Sequence, residues 1–180
     1  MNQLIMCWEN DQKPSKGFCL PDGVVLKRFP EIKNAEAVWL DIVSYMYECE
    51  DIDVYKEKDF FKRLMTEYHG FCEDKCFFLI VDGAPAATIT VITDKQNKEG
   101  YVHMVSSKPE FRGRGLGTLM NNIALDVFKS EGMQSAHLTT DDWRIPAIKS
   151  YLRAGFKPDT ESEPDFAGRW QKIFQIIEGK

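Results

Sequence analysis

Hydrophobic positions along this chain recur at two spacings, and the changes between them mark the elements. Leu4 to Trp8 and Val24 to Phe29 read as strands, with turn material at Pro14 to Gly17 between them. Ala35, Val38, Trp39, Ile42, Val43 and Met46 recur three and four residues apart and predict a helix over Ala35 to Tyr47. Asp59 is placed to cap a second helix through Tyr68 that buries Phe60, Leu64 and Met65. Cys76 to Val81 and Pro85 to Ile92 are apolar runs flanking Asp82-Gly83, a hairpin signal. Tyr101 to Val105 reads as a buried strand. A helix follows, carrying Leu116, Leu119, Met120, Ile123, Ala124, Val127 and Phe128 at helical spacing and stopping at Gly132. Ala136 to Thr139 is a further strand, and Lys172 to Ile177 reads as a last edge strand that ends the sheet or pairs across a homodimer. The alternation predicts one α/β unit over residues 23–180, with residues 1–22 as an N-terminal extension or an added edge strand.

Composition narrows the function classes. The chain of 180 residues is long enough for a full hydrophobic core without staples. No stretch approaches a membrane span, and Glu9 and Asp11 stand where a signal peptide would stay apolar, so a cytoplasmic protein is expected. Five cysteines, at 7, 19, 49, 72 and 76, are odd in number and scattered, unlike a secreted disulfide framework. The net charge of -5 disfavours nucleic acid as a partner.

The chemistry concentrates in Phe111-Arg112-Gly113-Arg114-Gly115-Leu116-Gly117-Thr118, between the strand and the helix. Glycines let successive backbone N-H groups converge, and a helix start adds its unpaired first-turn donors and positive dipole end, so a pyrophosphate is the natural guest. A P-loop would need a lysine followed by Ser or Thr after the glycines, and none is there. A dinucleotide loop would need a third glycine where Thr118 stands. The remaining form, [QR]-x-x-G-x-[GA], is met by Arg112-Gly113-Arg114-Gly115-Leu116-Gly117.

With that motif the chain resembles the GNAT superfamily of acyl-CoA-dependent N-acetyltransferases. A second motif agrees: Ala147, Tyr151, Gly155 and Phe156 are similar to the family's N-x-x-A-x-x-x-Y-x-x-x-G-F helix, with Arg144 where Asn is usual. Locally, Pro146 suits a first helical turn and Gly155 a left-handed cap. The resemblance spans roughly residues 76 to 175. It implies a central mixed, mostly antiparallel β-sheet flanked by helices and splayed near the cofactor. It also implies acetyl-CoA as acyl donor, no metal, and a small-molecule or peptide amine as acceptor. The acidic stretch Glu48 to Asp53 borders the acceptor site in the resembled fold.

Acetyl transfer to an amine needs a proton acceptor, a polarised carbonyl and a proton for the departing thiolate. Glu99, Tyr101, His103, Val105 and Ser107 share one parity, so an unbroken strand would put them on one face. In the resembled fold, main-chain groups of this strand grip the pantetheine and polarise the carbonyl, which nominates Val105 and Ser107. Glu99 and His103 are the candidate bases, with ordered water as the third option. Tyr151 is the candidate acid, because a phenol stays protonated at neutral pH. Arg112, Gly113, Arg114, Gly115, Leu116, Gly117 and Thr118 are the candidate phosphate cradle, and Lys108 is placed to reach the adenosine phosphate or solvent. His69, Cys72 and Cys76 have metal-like spacing but lack a fourth ligand. Asp141, Asp142 and Trp143 read as helix-entry caps or as an acidic-aromatic pocket for a cation. The opposing functional reading is a CoA-binding sensor or interaction module with little turnover.

Overall fold

The structure, a computed structural model, describes residues 2–13, 17–47, 57 and 59–179. Among the described residues seven strands form one sheet: β1 (Leu4–Glu9), β2 (Val24–Arg28), β3 (Cys76–Val81), β4 (Ala84–Asp94), β5 (Glu99–Ser107), β6 (Ser135–Thr140) and β7 (Lys157–Pro158). Their order is β2-β3-β4-β5-β6-β1-β7. Only β5 and β6 run parallel, and all other neighbours are antiparallel. This is the mixed, mostly antiparallel sheet expected. The helices are α1 (Ala35–Tyr47), α2 (Leu116–Ser130), α3 (Ile145–Ala154) and α4 (Phe166–Glu178).

The strand expected over Leu4 to Trp8 forms as β1. It lies inside the sheet rather than at an edge, because β6 pairs along its whole length and β7 covers its other side. Alternation explains its orientation, since Leu4, Met6 and Trp8 are buried while Cys7 and Glu9 are exposed. β3 is buried at all six positions because both its faces are covered, so Cys-Phe-Phe-Leu-Ile-Val needs no polar alternation. Asp82 and Gly83 turn the β3–β4 hairpin, both with φ in the left-handed region (51° and 84°) as a two-residue type I′ turn requires. Pro85 lies beside a register shift in that pair, where its missing N-H is tolerated.

Two cores sit on opposite faces of the sheet. On one face α2, α3 and α4 bury Ile123, Phe128, Ile148, Phe166 and Trp170 against Leu4, Met6, Leu79, Val91 and Leu138. On the other, Trp39, Ile42 and Val43 of α1 pack with Phe60, Phe61 and Met65 on Phe78 and Ile80 of β3.

Two expected elements differ. Lys172 to Ile177 is not a strand but part of α4. Phe166, Trp170 and Ile173, spaced four and three apart, are the buried stripe, and that helical period emerges only when the upstream aromatics are included. The expected helix from Asp59 begins at Phe60 and widens into a π-helical turn, Lys62–Thr66, closed by the Glu67 N-H donating to the Lys62 carbonyl at 2.8 Å. Asp59 has φ 67° and does not cap it with its side chain; its carbonyl accepts the Arg63 N-H. The acidic stretch Glu48 to Asp53 lies outside the described residues.

Candidate active site

The sheet opens between β5 and β6. They pair only from Glu99–Ser135 to Tyr101–His137, and beyond that rung β5 runs to Ser107 and β6 to Thr140 without a ladder between them. Backbone groups on the facing sides of the two strands are thus left for a guest in extended conformation. The expected splay is present.

β5 carries one residue too many for its partner. Thr88 faces Ser106 but Thr90 faces His103, so Ile89 spans both Met104 and Val105. Met104 takes up the surplus with φ 51°, a left-handed conformation uncommon for a residue with a side chain. The five residues expected on one face are therefore divided. Tyr101 and His103 stack on Tyr68, and Ser106 donates to the Ile42 carbonyl of α1, whereas Val105 packs with the α2 core. Ser107 follows Val105 in the restored alternation. The bulge moves Val105 and Ser107 to the face where α2 begins.

The glycine run forms an exposed loop. A short 3-10 turn, Pro109–Phe111, leads into it, and Gly113 and Gly115 both have φ 79°. A Cβ on either would meet open space, so the backbone conformation, not packing, requires glycine. Gly115 is the N-cap of α2 and no side chain caps it, leaving the first-turn N-H groups of Leu116, Gly117 and Thr118 without a side-chain acceptor. Those donors, the helix dipole and two exposed arginines match a pyrophosphate in charge and hydrogen-bonding character. Arg112 reaches the Ser107 carbonyl at 3.4 Å, and Arg114 lies over the Phe111 ring, 3.8 Å from Asp82. The Leu116 side chain is buried in the core, so only its main chain faces the loop. Gly117 lets α3 approach, with Ser150 Oγ 3.4 Å from where a Cβ would stand, and Thr118 accepts from Arg153 at 3.4 Å. Lys108 is paired with Asp41 of α1 at 2.5 Å.

Tyr151 projects from α3, whose end is fixed by Gly155 at φ 102°; the N-H groups of Gly155 and Phe156 both donate to the Tyr151 carbonyl. Its ring packs edge-on to Phe156 and is 7% exposed. Burial pushes its phenol up to about 12, the positive Arg144 opposing and Tyr101 and Asp141 reinforcing the shift.

The two candidate bases are differently placed. His103 is buried, stacked on Tyr68 at 4.3 Å, and its Nε2 lies 2.8 Å from the Leu64 carbonyl, a group at the π-helical turn. A carbonyl only accepts, so Nε2 carries the proton. Burial lowers the pKa of His103 below the usual imidazole value, against a raising effect of that hydrogen bond. Glu99 is exposed, and its Oε1 lies 2.9 Å from Nδ1 of His137 on β6. Spacing alone singles out neither His137 nor Tyr68. His137 does alternate with buried Ala136 and Leu138, which marks a titratable side chain on the open face of a central strand.

Other candidates are occupied elsewhere. Asp142 binds Arg169 through both carboxylate oxygens, and Asp141 holds Arg144 at 2.9 Å, whose guanidinium lies over Trp143. These acids neither cap α3, which starts without a side-chain cap, nor leave an open cation pocket. Among the described residues no cluster of His, Cys, Asp and Glu is arranged to hold a metal. Cys76 is buried in β3 and its thiol is pushed up to about 11 by that burial. No helix among the described residues is long and apolar enough to cross a membrane.

Comparisons with known proteins converge on one family. The Acetyltransferase (GNAT) family matches over residues 39–156. A mycothiol acetyltransferase of Actinosynnema mirum is 27% identical over 147 residues, covering 76% of this chain and 46% of that protein. An uncharacterized N-acetyltransferase of Methanocaldococcus jannaschii is 30% identical over 148 residues, covering 77% of this chain and 62% of that protein. The chain thus spans about half the length of the curated relatives it matches. In fold it is similar to a GCN5-related N-acetyltransferase from Sphaerobacter thermophilus, with a TM-score of 0.66 at 16% identity over 88% of this chain and 50% of that one.

Proposed function

This chain belongs to the GNAT acetyltransferase family, and on that premise we propose that it transfers the acetyl group of acetyl-CoA directly to an amine of a small molecule or peptide, in a ternary complex. The observation that carries this reading is the conjunction at one end of the sheet. The β5–β6 opening, the uncapped start of α2 with its left-handed glycines, and the buried Tyr151 all meet there.

In this reading Arg112 to Thr118 hold the pyrophosphate through main-chain N-H groups, with the arginines adding charge. Main-chain groups of Val105 and Ser107, turned toward α2 by the bulge, hold the pantetheine and polarise the carbonyl. Acetyl-CoA, when bound, supplies an activated acyl carbon and a good leaving group. Tyr151 faces the departing sulfur. Burial keeps its phenol protonated but also makes complete transfer of its proton uphill. Its contribution is then a hydrogen bond that strengthens as negative charge develops, while the sulfur's proton comes ultimately from the amine. The amine loses its proton on the opposite face, where Glu99 is exposed and His103 walled in. No cysteine stands in a motif suggesting a covalent acyl-enzyme, which favours direct attack.

Two measurements test the proposal. Acetyl-CoA should raise the melting temperature, and NAD and ATP should not. Thiol release from acetyl-CoA is then followed across a panel of amines. Binding without release under any amine returns the sensor reading, and no thermal shift at saturating acetyl-CoA overturns both.

A further inference from the structure

The open face of β5 and β6 carries a row of rings that the acetyl-CoA site does not use. Tyr68, Tyr101, His103 and His137 follow one another, with centroids 4.3 Å apart for Tyr68–His103, 5.4 Å for Tyr101–His103 and 4.8 Å for Tyr101–His137. The row ends at Glu99, against His137. Because this inference rests on the acetyl-transfer reading, it concerns the same reaction: we propose that His137, oriented by Glu99, takes the proton from the acceptor ammonium.

Position comes first. His137 pairs with Tyr101 on the last rung before the strands part, so its side chain stands at the vertex of the opening. It lies on the face opposite Tyr151, whose helix covers the other side of the sheet. An acid on one face and a base on the other let leaving group and nucleophile act from opposite sides of the same acyl carbon. α1 and the segment from Phe60 to Met65 pack over β3, β4 and the far part of β5, and the His137 side chain remains 36% exposed.

The hydrogen bond then selects the tautomer. An ionised carboxylate can only accept, so Glu99 Oε1 at 2.9 Å takes the proton of Nδ1 and leaves the lone pair on Nε2. Stacking on Tyr101 fixes the ring plane. His103 has the reverse arrangement, its Nε2 proton given to Leu64 inside the protein, so it serves as a wall of the site and not as its base. Faces of Tyr68 and Tyr101 beside the imidazoles present negative π-density to an ammonium before it loses its proton. The charged and titratable groups sharing this face on the strands around His137 are Glu99, Tyr101 and His103 on β5, Cys7 and Glu9 on β1, and Lys157 on β7.

The step balances. Nε2 accepts one proton from the ammonium, the freed nitrogen pair forms the C–N bond as the C–S bond breaks, and the second N-H proton ends on sulfur. The products are the amide, the thiol and one proton, which leaves His137 for solvent.

The test uses the whole chain and three probes: glycinamide and ethanolamine, both largely protonated at pH 7, and hydroxylamine, which is not. His137→Gln is expected to lower kcat/KM for the protonated amines about 100-fold, within the range of general-base catalysis. It should leave hydroxylamine within about threefold, because that nucleophile needs no deprotonation before attack. Added imidazole should restore part of the loss in His137→Ala. Glu99→Gln should lower kcat about tenfold with KM unchanged, as expected of a positioning residue. The readout without substrate is the 15N spectrum of the imidazoles, simple in a chain with three histidines. Neutral His137 should carry its proton on Nδ1 in the wild type and redistribute it in Glu99→Gln. Equal losses for hydroxylamine and the protonated amines, no loss at all, or a wild-type proton on Nε2 each overturn the assignment while acetyl transfer stands. No thiol release by the wild type with any probe overturns the transfer reading and this assignment with it.

Discussion

Replacing Gly100 with alanine tests how α2 is seated on the sheet. A Cβ at Gly100 would lie 2.3, 2.4 and 2.8 Å from three ring carbons of Phe128. Carbon atoms rest about 3.5 Å apart or more, so the ring must withdraw by roughly 1 Å. Phe128 is fully buried, with Trp8 at 6.2 Å between centroids, and has nowhere to withdraw without moving α2. Overpacking of this kind costs roughly 1–3 kcal/mol. Losing the glycine's freedom in the unfolded chain offsets about 0.4–1 kcal/mol. A net destabilisation of about 1.3 kcal/mol is expected, which lowers the melting temperature by roughly 3–5 °C in a domain of this size. Urea unfolding should show a lower midpoint at unchanged slope. Phe128→Leu in the Gly100→Ala background should recover part of the loss, giving a coupling of about 1 kcal/mol between the two sites. Because Gly100 is one rung from where β5 and β6 part, acetyl-CoA affinity should fall along with stability. Gly100→Ala as stable as the wild type, with no coupling to Phe128, would falsify the close contact and its role as the seat of α2.

Other perturbations reach the site directly. Tyr151→Phe should cut kcat at least tenfold while leaving acetyl-CoA affinity within about threefold, read by turnover and by thermal shift. The same variant tests the buried phenol. Its folded pKa, pushed up to about 12, lies above the unfolded value of 10, so stability is present below pH 10 and falls between pH 10 and 12; the fall should be shallower in Tyr151→Phe by about 2–3 kcal/mol. His103 has its pKa lowered by burial, so its contribution is present above the unfolded pKa of 6.5 and is lost as the pH drops below it. His103→Gln should therefore flatten the acid side of the stability curve; an unchanged slope contradicts the burial argument. Gly115→Ala should cost about 1 kcal/mol for the left-handed φ of 79°, and acetyl-CoA binding should weaken by more than stability does, as calorimetry can compare.

Elements with local signals were legible in the chain. The α2 stripe, the Gly155 cap and the Asp82-Gly83 turn each rest on a few adjacent residues whose conformational preferences decide the outcome. The loop from Arg112 to Thr118 was legible for the same reason, since its glycines are required by backbone angles rather than by neighbours. Features decided by distant partners were not. Met104 enters the left-handed region because β4 supplies one residue fewer opposite it, and nothing in the Val-His-Met-Val run announces that. The Glu99–His137 pair and the Tyr68 stack join segments separated by 38 and 35 residues, so spacing within one element cannot show them. α4 is not legible from Lys172 to Ile177 alone, because six residues are too short a window to distinguish periods of 2 and 3.6. Asp59 failed as a cap because the chain enters the π-helical turn at a positive φ.

The single surplus residue at Met104 lets the chain answer two chemical demands along one strand. Upstream of it, Tyr101 and His103 look toward the face proposed for the acceptor; downstream, Val105 and Ser107 look toward the face proposed for the donor. In the proposed reaction, sequence drift or design upstream would thus alter which amines are welcomed while the acyl donor stays the same, and exchanges downstream would do the reverse. Adding one residue to β4 between Thr88 and Thr90 would give Met104 a partner, fuse the two halves into one regular strand and turn Val105 and Ser107 inward toward α1, a change of allegiance no side-chain substitution could imitate.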